Sequence, residues 1–439
     1  MSLKKEIAIW SIVYILSIVL YYTVVPSASA VLLIFLAIVI YIYRYRCTLN
    51  FVDMQGIFGL SWIGGQGLAC FQLSRLQHQW SIVTWLSFGL AYVGFLLAFR
   101  VKNDFGQRKL QVGCRRGYER YAEPLLHCIL AIAALSVLAF LIEVYVVGYI
   151  PIFVDFAHAY SYFHVSGVHY FTVSCVFIPV LSVLYWFSGT ERRKTVLVFL
   201  ANVIAVGIPV LCVSRFQLIF EVGFAVIIYF MLSSKVKWQA VTGLGLCLVA
   251  GYGILSVFRN HDATYLNSIF EMKNSKLPVA LSQPYIYIVN NYENFNCLVE
   301  NLVKHTWGLK MLFPVFGLTG LKFVFPELVD FPVYITKDEL NTYTMFYDAY
   351  YDFGVLGILA LALIIGFACR EIYGKIYGSL NPIWLLIGGQ MIFYLGLSFF
   401  TTWFSLTTTW FWIALTALMY FYMKFYENGY SLHGMIRNM

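Results

Sequence analysis

The chain has 439 residues, 61% of them hydrophobic and 11% charged, with a mean hydropathy of +0.77 and a formal net charge of +8. A water-soluble core cannot enclose that much apolar surface, so lipid has to be part of the solvent. The excess of positive charge is distributed over the connections between apolar runs and not gathered into a patch, which excludes nucleic-acid binding and points to membrane topology.

A bilayer's hydrocarbon core is about 30 Å thick, so one helical span needs roughly 20 mostly apolar residues. In chain order, runs of this kind lie at 7–25, 28–43, 51–70, 80–99, 123–147, 168–188, 195–213, 215–232, 238–257, 348–369, 382–400 and 403–422. Asp53, Gln55 and Gln66 interrupt the third. Each run should be a helix, because an isolated span must satisfy its own backbone hydrogen bonds in lipid. The expectation is therefore an all-α, polytopic membrane helical bundle, one membrane domain over 1–439. Lys4-Lys5, an apolar run and Ala28-Ser29-Ala30 have the outline of a secretory signal, but a second apolar run follows at once. An uncleaved helical hairpin is the expected form.

Basic residues crowd every second connection. With the N-terminus inside, 20 of the 29 Lys and Arg fall on the inner side, and only Arg75 and Arg215 lie in short outer connections. Under the positive-inside rule both termini are then cytoplasmic and the long polar stretch at 258–347 is outside. The remaining seven basic residues belong to that stretch, where the rule loses force. The nine cysteines show no CxxC spacing and read as small apolar filler. His158, His164 and His169 are six and five residues apart, which is not a helical metal-ligand spacing. No metal and no cofactor is expected.

Four elements of the outer face carry polar chemistry. The first is Phe71 to Gln79. The second follows the fifth span, where Gly148-Tyr149-Ile150-Pro151-Ile152-Phe153 stops the helix and turns the chain, ahead of Asp155 and the three histidines. The third is Ser214-Arg215, in a very tight connection. An arginine at that depth costs about 2.5–3.5 kcal/mol even on mild scales, so it has a partner, such as Glu143 or Glu221, or a functional task. The fourth is the long loop. Within it Ile288, Tyr292, Phe295, Val299 and Leu302 recur at steps of four and three, while Asn290, Asn294, Cys297, Asn301 and Lys304 trace another face. That pattern is an amphipathic helix of the type that lies in a membrane interface.

The loop ends in Asn341-Thr342-Tyr343-Thr344-Met345-Phe346 and continues through Asp348 and Tyr351 to Asp352-Phe353-Gly354-Val355-Leu356-Gly357. Over about 140–370 the chain resembles the Wzy-type O-antigen and capsule repeat-unit polymerases, which share an Asn-Thr-Tyr-Thr stretch and an Asp-Phe-Gly-x-x-Gly start to a late span. The Gly-Tyr-Ile-Pro-Ile-Phe turn, Ser214-Arg215 and Tyr285 to Phe295 stand in that family's order. The paired Arg-x10-Gly pattern of some members is not met by Arg75, Arg215 or Arg259. Asp352-Phe353-Gly354 is not a kinase signature, since no Gly-rich loop or HRD segment accompanies it.

The resemblance implies a GT-C-like membrane fold and a metal-independent glycosyl transfer between two undecaprenyl-pyrophosphate-linked oligosaccharides. The reaction would take place on the outer face of a bacterial inner membrane, with a chain-length regulator protein as a further partner. An O-antigen ligase is the neighbouring alternative; a repeat-unit flippase is the alternative from another class. The departing pyrophosphate needs fixed cations, for which Arg215 and Arg259 are the candidates and Lys310 the reserve. The acceptor hydroxyl needs a base. Asp348 and Asp352 share a helix face at i, i+4; Asp352 is favoured and His305 follows. Asn341, Tyr343 and Tyr351 are the nearest groups for binding sugar. Asp352 also has a structural reading, as the N-terminal cap of its span.

Overall fold

The computed structural model describes residues 3–23, 25–100, 118–154, 159–189, 192–233, 263–274 and 276–437, together with 239, 242, 243 and 246. Apart from 239, 242, 243 and 246, the expected span at 238–257 lies outside the described residues, as do Arg259, Asp155 and His158. The protein is an all-α polytopic membrane bundle. Eight helices among the described residues are long and apolar enough to cross a membrane, and no strand occurs among them beyond one isolated bridge, Ser74 to Met272.

The chain divides into two compact units. The first contains Met1–Leu110, Asp262–Gly374 and Tyr394–Trp410. Its opening helices are α1 (Leu3–Thr23), α2 (Pro26–Thr48), α3 (Met54–Ala69) and α4 (Ile82–Arg100). Helix α3 covers only 16 residues and is not among the eight long apolar helices. Its polar residues, an interruption in the sequence pattern, are absorbed by neighbouring helices. Asp53 accepts from Gly56 N–H at 2.9 Å, capping α3, and holds the buried Arg44 of α2 through two bonds of 3.0 Å. Gln55 donates to Glu6 of α1, and the Tyr14 hydroxyl bridges Gln66 Oε1 and the Trp85 carbonyl, each at 3.0 Å. A helix can carry such groups through a membrane when other helices supply the partners that lipid lacks. The core here is aromatic: Trp62 lies 5.4 Å from Phe88, 5.6 Å from Tyr292 and 5.0 Å from Phe346, ring centre to ring centre.

The second unit contains Gln111–His261, Lys375–Phe393 and Phe411–Met439. Helix α5 (Ala122–Val147) ends at Gly148, whose φ of +82° closes the helix, and a short 3-10 turn at Pro151–Phe153 redirects the chain as the Gly-x-x-Pro pattern predicts. Helices α6 (Phe177–Ser188), α7 (Arg192–Leu211) and α8 (Arg215–Leu232) follow. Phe220 packs 4.1 Å from Phe393 and 4.8 Å from Trp412.

Helices α9 (Ala263–Phe270), α10 (Val279–Asn301), α11 (Phe313–Thr319) and α12 (Leu321–Val324) belong to the long connecting segment. Helix α13 (Tyr347–Gly378) is broken at Gly354. Helix α14 (Ile383–Gly396) stops earlier than the expected 382–400 run, and α15 (Thr407–Arg437) holds the last one. The early stop has a visible cause: the chain beyond Gly396 is committed to other bonds, with Met345 N–H donating to the Ser398 carbonyl at 2.7 Å.

Candidate functional site

The site is built where α13 begins, inside the first unit. Gly354 takes φ +60° and ψ −145°, a conformation essentially restricted to glycine. Three residues later, a Cβ on Gly357 would stand 2.1 Å from the Ala349 carbonyl oxygen. The two glycines of Asp-Phe-Gly-x-x-Gly therefore have one physical purpose. One breaks the helix and the other lets the turn before the break fold down onto its continuation.

The break presents Tyr351 and Asp352 to the stretch that follows α10. His305 Nδ1 lies 3.1 Å from the Tyr351 carbonyl, and Trp307 N–H donates to the Asp352 carbonyl at 3.3 Å. The Asp352 carboxylate accepts from Thr306 Oγ1, from Lys310 N–H at 3.1 Å and from Met311 N–H at 2.8 Å. It is fully buried. A carboxylate receiving two backbone N–H groups and a hydroxyl acts as the cap of the 308–312 turn, and such charge-assisted bonds are worth about 1.5–3 kcal/mol each. Asp352 thus holds a loop in place.

One turn earlier, Asp348 is also buried, at 8% exposure. Lys310 is close enough to act on it electrostatically, and Thr402 and Ser405 lie in the same neighbourhood. The Lys310 ammonium sits over the Tyr351 ring, 4.9 Å from its centre, and 5.9 Å from that of Phe331. The two aspartates expected on one helix face are indeed one turn apart, but their surroundings differ. Asp352 meets backbone donors, whereas Asp348 makes no such bonds among the described residues and lies within electrostatic reach of Lys310.

The tyrosines form a wall. Tyr343 packs against Tyr347 with ring centres 4.4 Å apart and planes tilted by 33°, and Tyr334 lies 5.8 Å from Tyr351. The Tyr351 hydroxyl donates to the Pro332 carbonyl at 3.0 Å, and that of Tyr347 donates to the Tyr334 carbonyl at 2.9 Å. Both phenols thus tie down the 332–334 stretch, and the Tyr351 ring face, not its hydroxyl, is turned to Lys310. Burial, with Asp348 nearby as the second cause, pushes the half-buried Tyr343 phenol up. Asn341 is exposed at the edge of the same stretch.

His305 is half-buried, flanked by the rings of Trp307 at 6.2 Å and Tyr350 at 6.3 Å. With Nδ1 turned to a carbonyl, the neutral ring carries its proton there and leaves Nε2 as the acceptor. Structure and sequence pattern thus bring His305, Lys310, Asn341, Tyr343, Asp348, Tyr351 and Asp352 into one unit. Arg215 opens α8 in the second unit and is buried there. Glu143, one proposed partner for it, accepts from Val165 N–H at 3.0 Å, from Thr172 Oγ1 at 2.7 Å and from His169 Nδ1 at 2.9 Å. Arg259 lies outside the described residues.

Sequence reasoning missed the groups that hold the Asn-Thr-Tyr-Thr stretch. Asn294 Nδ2 donates to the carbonyls of Leu340 at 2.7 Å and Thr342 at 2.8 Å, and its Oδ1 accepts from Thr336 N–H at 2.9 Å. Asn290 donates to the same Leu340 carbonyl, and Asn291 accepts from Thr342 Oγ1. Glu293, 2% exposed, receives Trp80 Nε1–H at 2.6 Å and His78 N–H at 3.2 Å; burial pushes its carboxyl up to about 8. The available signal was Asn290, Asn291, Glu293, Asn294 and Asn296 within two turns of one helix. Asparagine is a poor helix former and is kept there by side-chain bonds.

Comparison with known proteins returned no match: no protein-family model, no curated protein and no solved structure is similar to this chain.

Proposed function

We propose that the protein polymerises lipid-linked oligosaccharide repeat units, transferring a growing glycan from its undecaprenyl pyrophosphate to a hydroxyl of the next lipid-linked unit. The observation that carries this reading is the Lys310 ammonium lying over the Tyr351 and Phe331 rings beside Asp348, at the first turn of a membrane-spanning helix. A cation at the end of a span is where a lipid's phosphate headgroup lies, and an aromatic wall beside it suits the apolar face of a sugar ring.

In this reading the bond between the anomeric carbon and the pyrophosphate oxygen breaks as the acceptor oxygen bonds to that carbon. Lys310 offsets the charge gathering on the departing pyrophosphate. His305 Nε2 takes the proton of the acceptor hydroxyl. Asp352 positions Lys310 and His305 through the turn it caps, and Asn341 and Tyr343 line the sugar path. The site then faces the periplasmic or extracellular side of a bacterial cytoplasmic membrane, with both termini cytoplasmic.

The test is direct. Purified protein in nanodiscs is incubated with undecaprenyl-pyrophosphate-linked repeat units alone. A ladder of longer lipid-linked products supports the reading. Folded protein that yields no ladder overturns it, and a product made only when lipid A core is added assigns the ligase reaction in its place.

A further inference from the structure

The stretch from Val303 to Pro326 contains three lysines and no acidic residue. It also leaves an unusual amount of apolar surface bare. Leu312, Val315 and Leu318 along α11 are 48%, 48% and 43% exposed, and Phe323, Val324 and Phe325 at and beyond α12 are 65%, 66% and 47% exposed. The opposite side of α11 is closed. Pro314 is buried, and a Cβ on Gly317 would come within 2.3 Å of Thr407. One face of this element is therefore packed against protein and the other has no protein partner among the described residues. Contiguous apolar surface of this kind marks a membrane or partner contact.

Two features identify the partner. A few residues ahead of the bare face, the same stretch meets the exposed side of a span: Trp307, 71% exposed, packs edge-on against Phe353 at 6.2 Å. Phe353 heads a stripe continued by Leu356, Ile364 and Phe367 down the exposed side of the membrane-spanning helix α13. The charge is also that of a lipid-contacting segment. Lys322 lies 4.9 Å from the Phe323 ring centre and 5.9 Å from that of Phe313, at the rim of the apolar face, and no carboxylate within the stretch opposes it.

We infer that α11 and α12 are a lipid-docking element, lying in the membrane interface with Phe323 and Val324 among the upper acyl chains and Lys322 at the level of anionic phosphates. An apolar edge with a lysine rim is the composition that holds a short helix in that layer, and tryptophan at Trp307's position suits the boundary between chains and headgroups. The inference rests on the multi-pass architecture and is independent of the proposed reaction. It has a consequence for the site: the turn carrying Lys310 ends at the exposed Leu312, two residues on, and is kept at headgroup depth by that edge.

The full-length protein, with p-benzoylphenylalanine at position 323, 356 or 339, is placed in nanodiscs of phosphatidylethanolamine and phosphatidylglycerol and illuminated. Position 356 reports the lipid face of a span, and 339 an exposed polar position. Lipid adducts at 323 comparable to those at 356 and well above those at 339 are the expected result. Adducts at 356 without adducts at 323 overturn the inference. So do cross-links from 323 to a second copy of the chain, which would make the face an oligomer contact. Replacing the lipid by phosphatidylcholine alone should lower the yield at 323, and Lys322→Gln should remove that dependence. An unchanged yield overturns the assignment of Lys322 to anionic headgroups.

Discussion

Helix α10 and the α11–α12 pair belong to the same connecting segment, yet they reverse the usual relation between polarity and burial. Asn290, Asn291, Glu293, Asn294 and Asn296 of α10 are buried, whereas Leu312, Val315, Phe323 and Val324 are exposed. The difference lies in what each surface is offered. The polar side chains of α10 meet loop backbone that would otherwise lack partners, notably the carbonyls of Leu340 and Thr342 and the N–H groups of His78, Ser81 and Thr336. Burial of a polar group is tolerated when such bonds are made. The apolar side chains of α11 and α12 meet no loop, and a membrane is the solvent that would cover them without penalty.

The sharpest way to break this contrast is at Asn294. Alanine there would leave the Thr342 carbonyl and the Thr336 N–H without their Asn294 partner and the Leu340 carbonyl with only the longer bond from Asn290, at about 3 kcal/mol given roughly 1–3 kcal/mol for each orphaned group with partial relaxation. Asn294→Ala should lower the thermal unfolding midpoint in detergent more than Asp352→Asn or Phe323→Ser does, and should free the 336–344 stretch. Limited proteolysis within that stretch is the readout. A midpoint and cleavage pattern equal to the parent's would mean that the loop holds itself.

Asp352→Asn comes next, acting on the turn that joins the two elements. One amide oxygen can replace one carboxylate oxygen, but the amide nitrogen would then face the N–H of Lys310 or Met311, a loss of about 2 kcal/mol. In the ladder assay, Asp352→Asn should lower polymer formation together with the thermal midpoint, because the aspartate positions the loop, whereas His305→Gln should abolish polymer at a midpoint near the parent's. If Asp352→Asn abolishes polymer at an unchanged midpoint and His305→Gln does not, the two roles are exchanged.

Glu293 provides a third test through pH. Its folded-state value, raised to about 8 by burial, exceeds the ordinary carboxyl value of 4.5. Below about 4.5 the folded and unfolded chains both hold the proton, so the raised value brings no penalty. Between 4.5 and 8 the unfolded chain releases it while the folded chain keeps it, so stability falls by up to about 1.4 kcal/mol per pH unit and levels off above 8. Glu293→Gln keeps a carbonyl acceptor for Trp80 and should flatten that slope. Thermal unfolding from pH 5 to pH 9 compares the two. Parallel curves would show that the carboxyl is already ionised at neutral pH.

Much of this layout is legible in the sequence because lipid imposes simple rules. Hydropathy alone marks helices such as α1, α2 and α4, and the i, i+4 spacing of Asp348 and Asp352 places them one turn apart. What could not be read is distant in the chain. Asp352 is bonded to residues 41 to 46 positions earlier, and the Asn294 partners lie 42 to 48 positions later. Local periodicity carries no information about such pairs. The same limit applies to α3, where Asp53, Gln55 and Gln66 look like interruptions until Arg44, Glu6 and Tyr14 are placed beside them. Conversely, the Asp-Phe-Gly-x-x-Gly pattern was visible, but its reason was not. Only the positive φ at Gly354 and the closeness of the Ala349 carbonyl to Gly357 explain why both positions exclude a side chain.

The smallest effect is expected on the apolar side of the contrast. Phe323→Ser removes a ring that is 65% exposed and has no core to leave behind, so surface substitution alone predicts a change within about 0.5 kcal/mol in detergent, where micelle and lipid are equivalent cover. The comparison is made instead between environments. In nanodiscs the parent should gain thermal stability relative to detergent, and Phe323→Ser should gain less, because only an ordered lipid layer rewards that ring. Equal gains would place the ring in water, and the bare face of α11 and α12 would then need a protein to cover it.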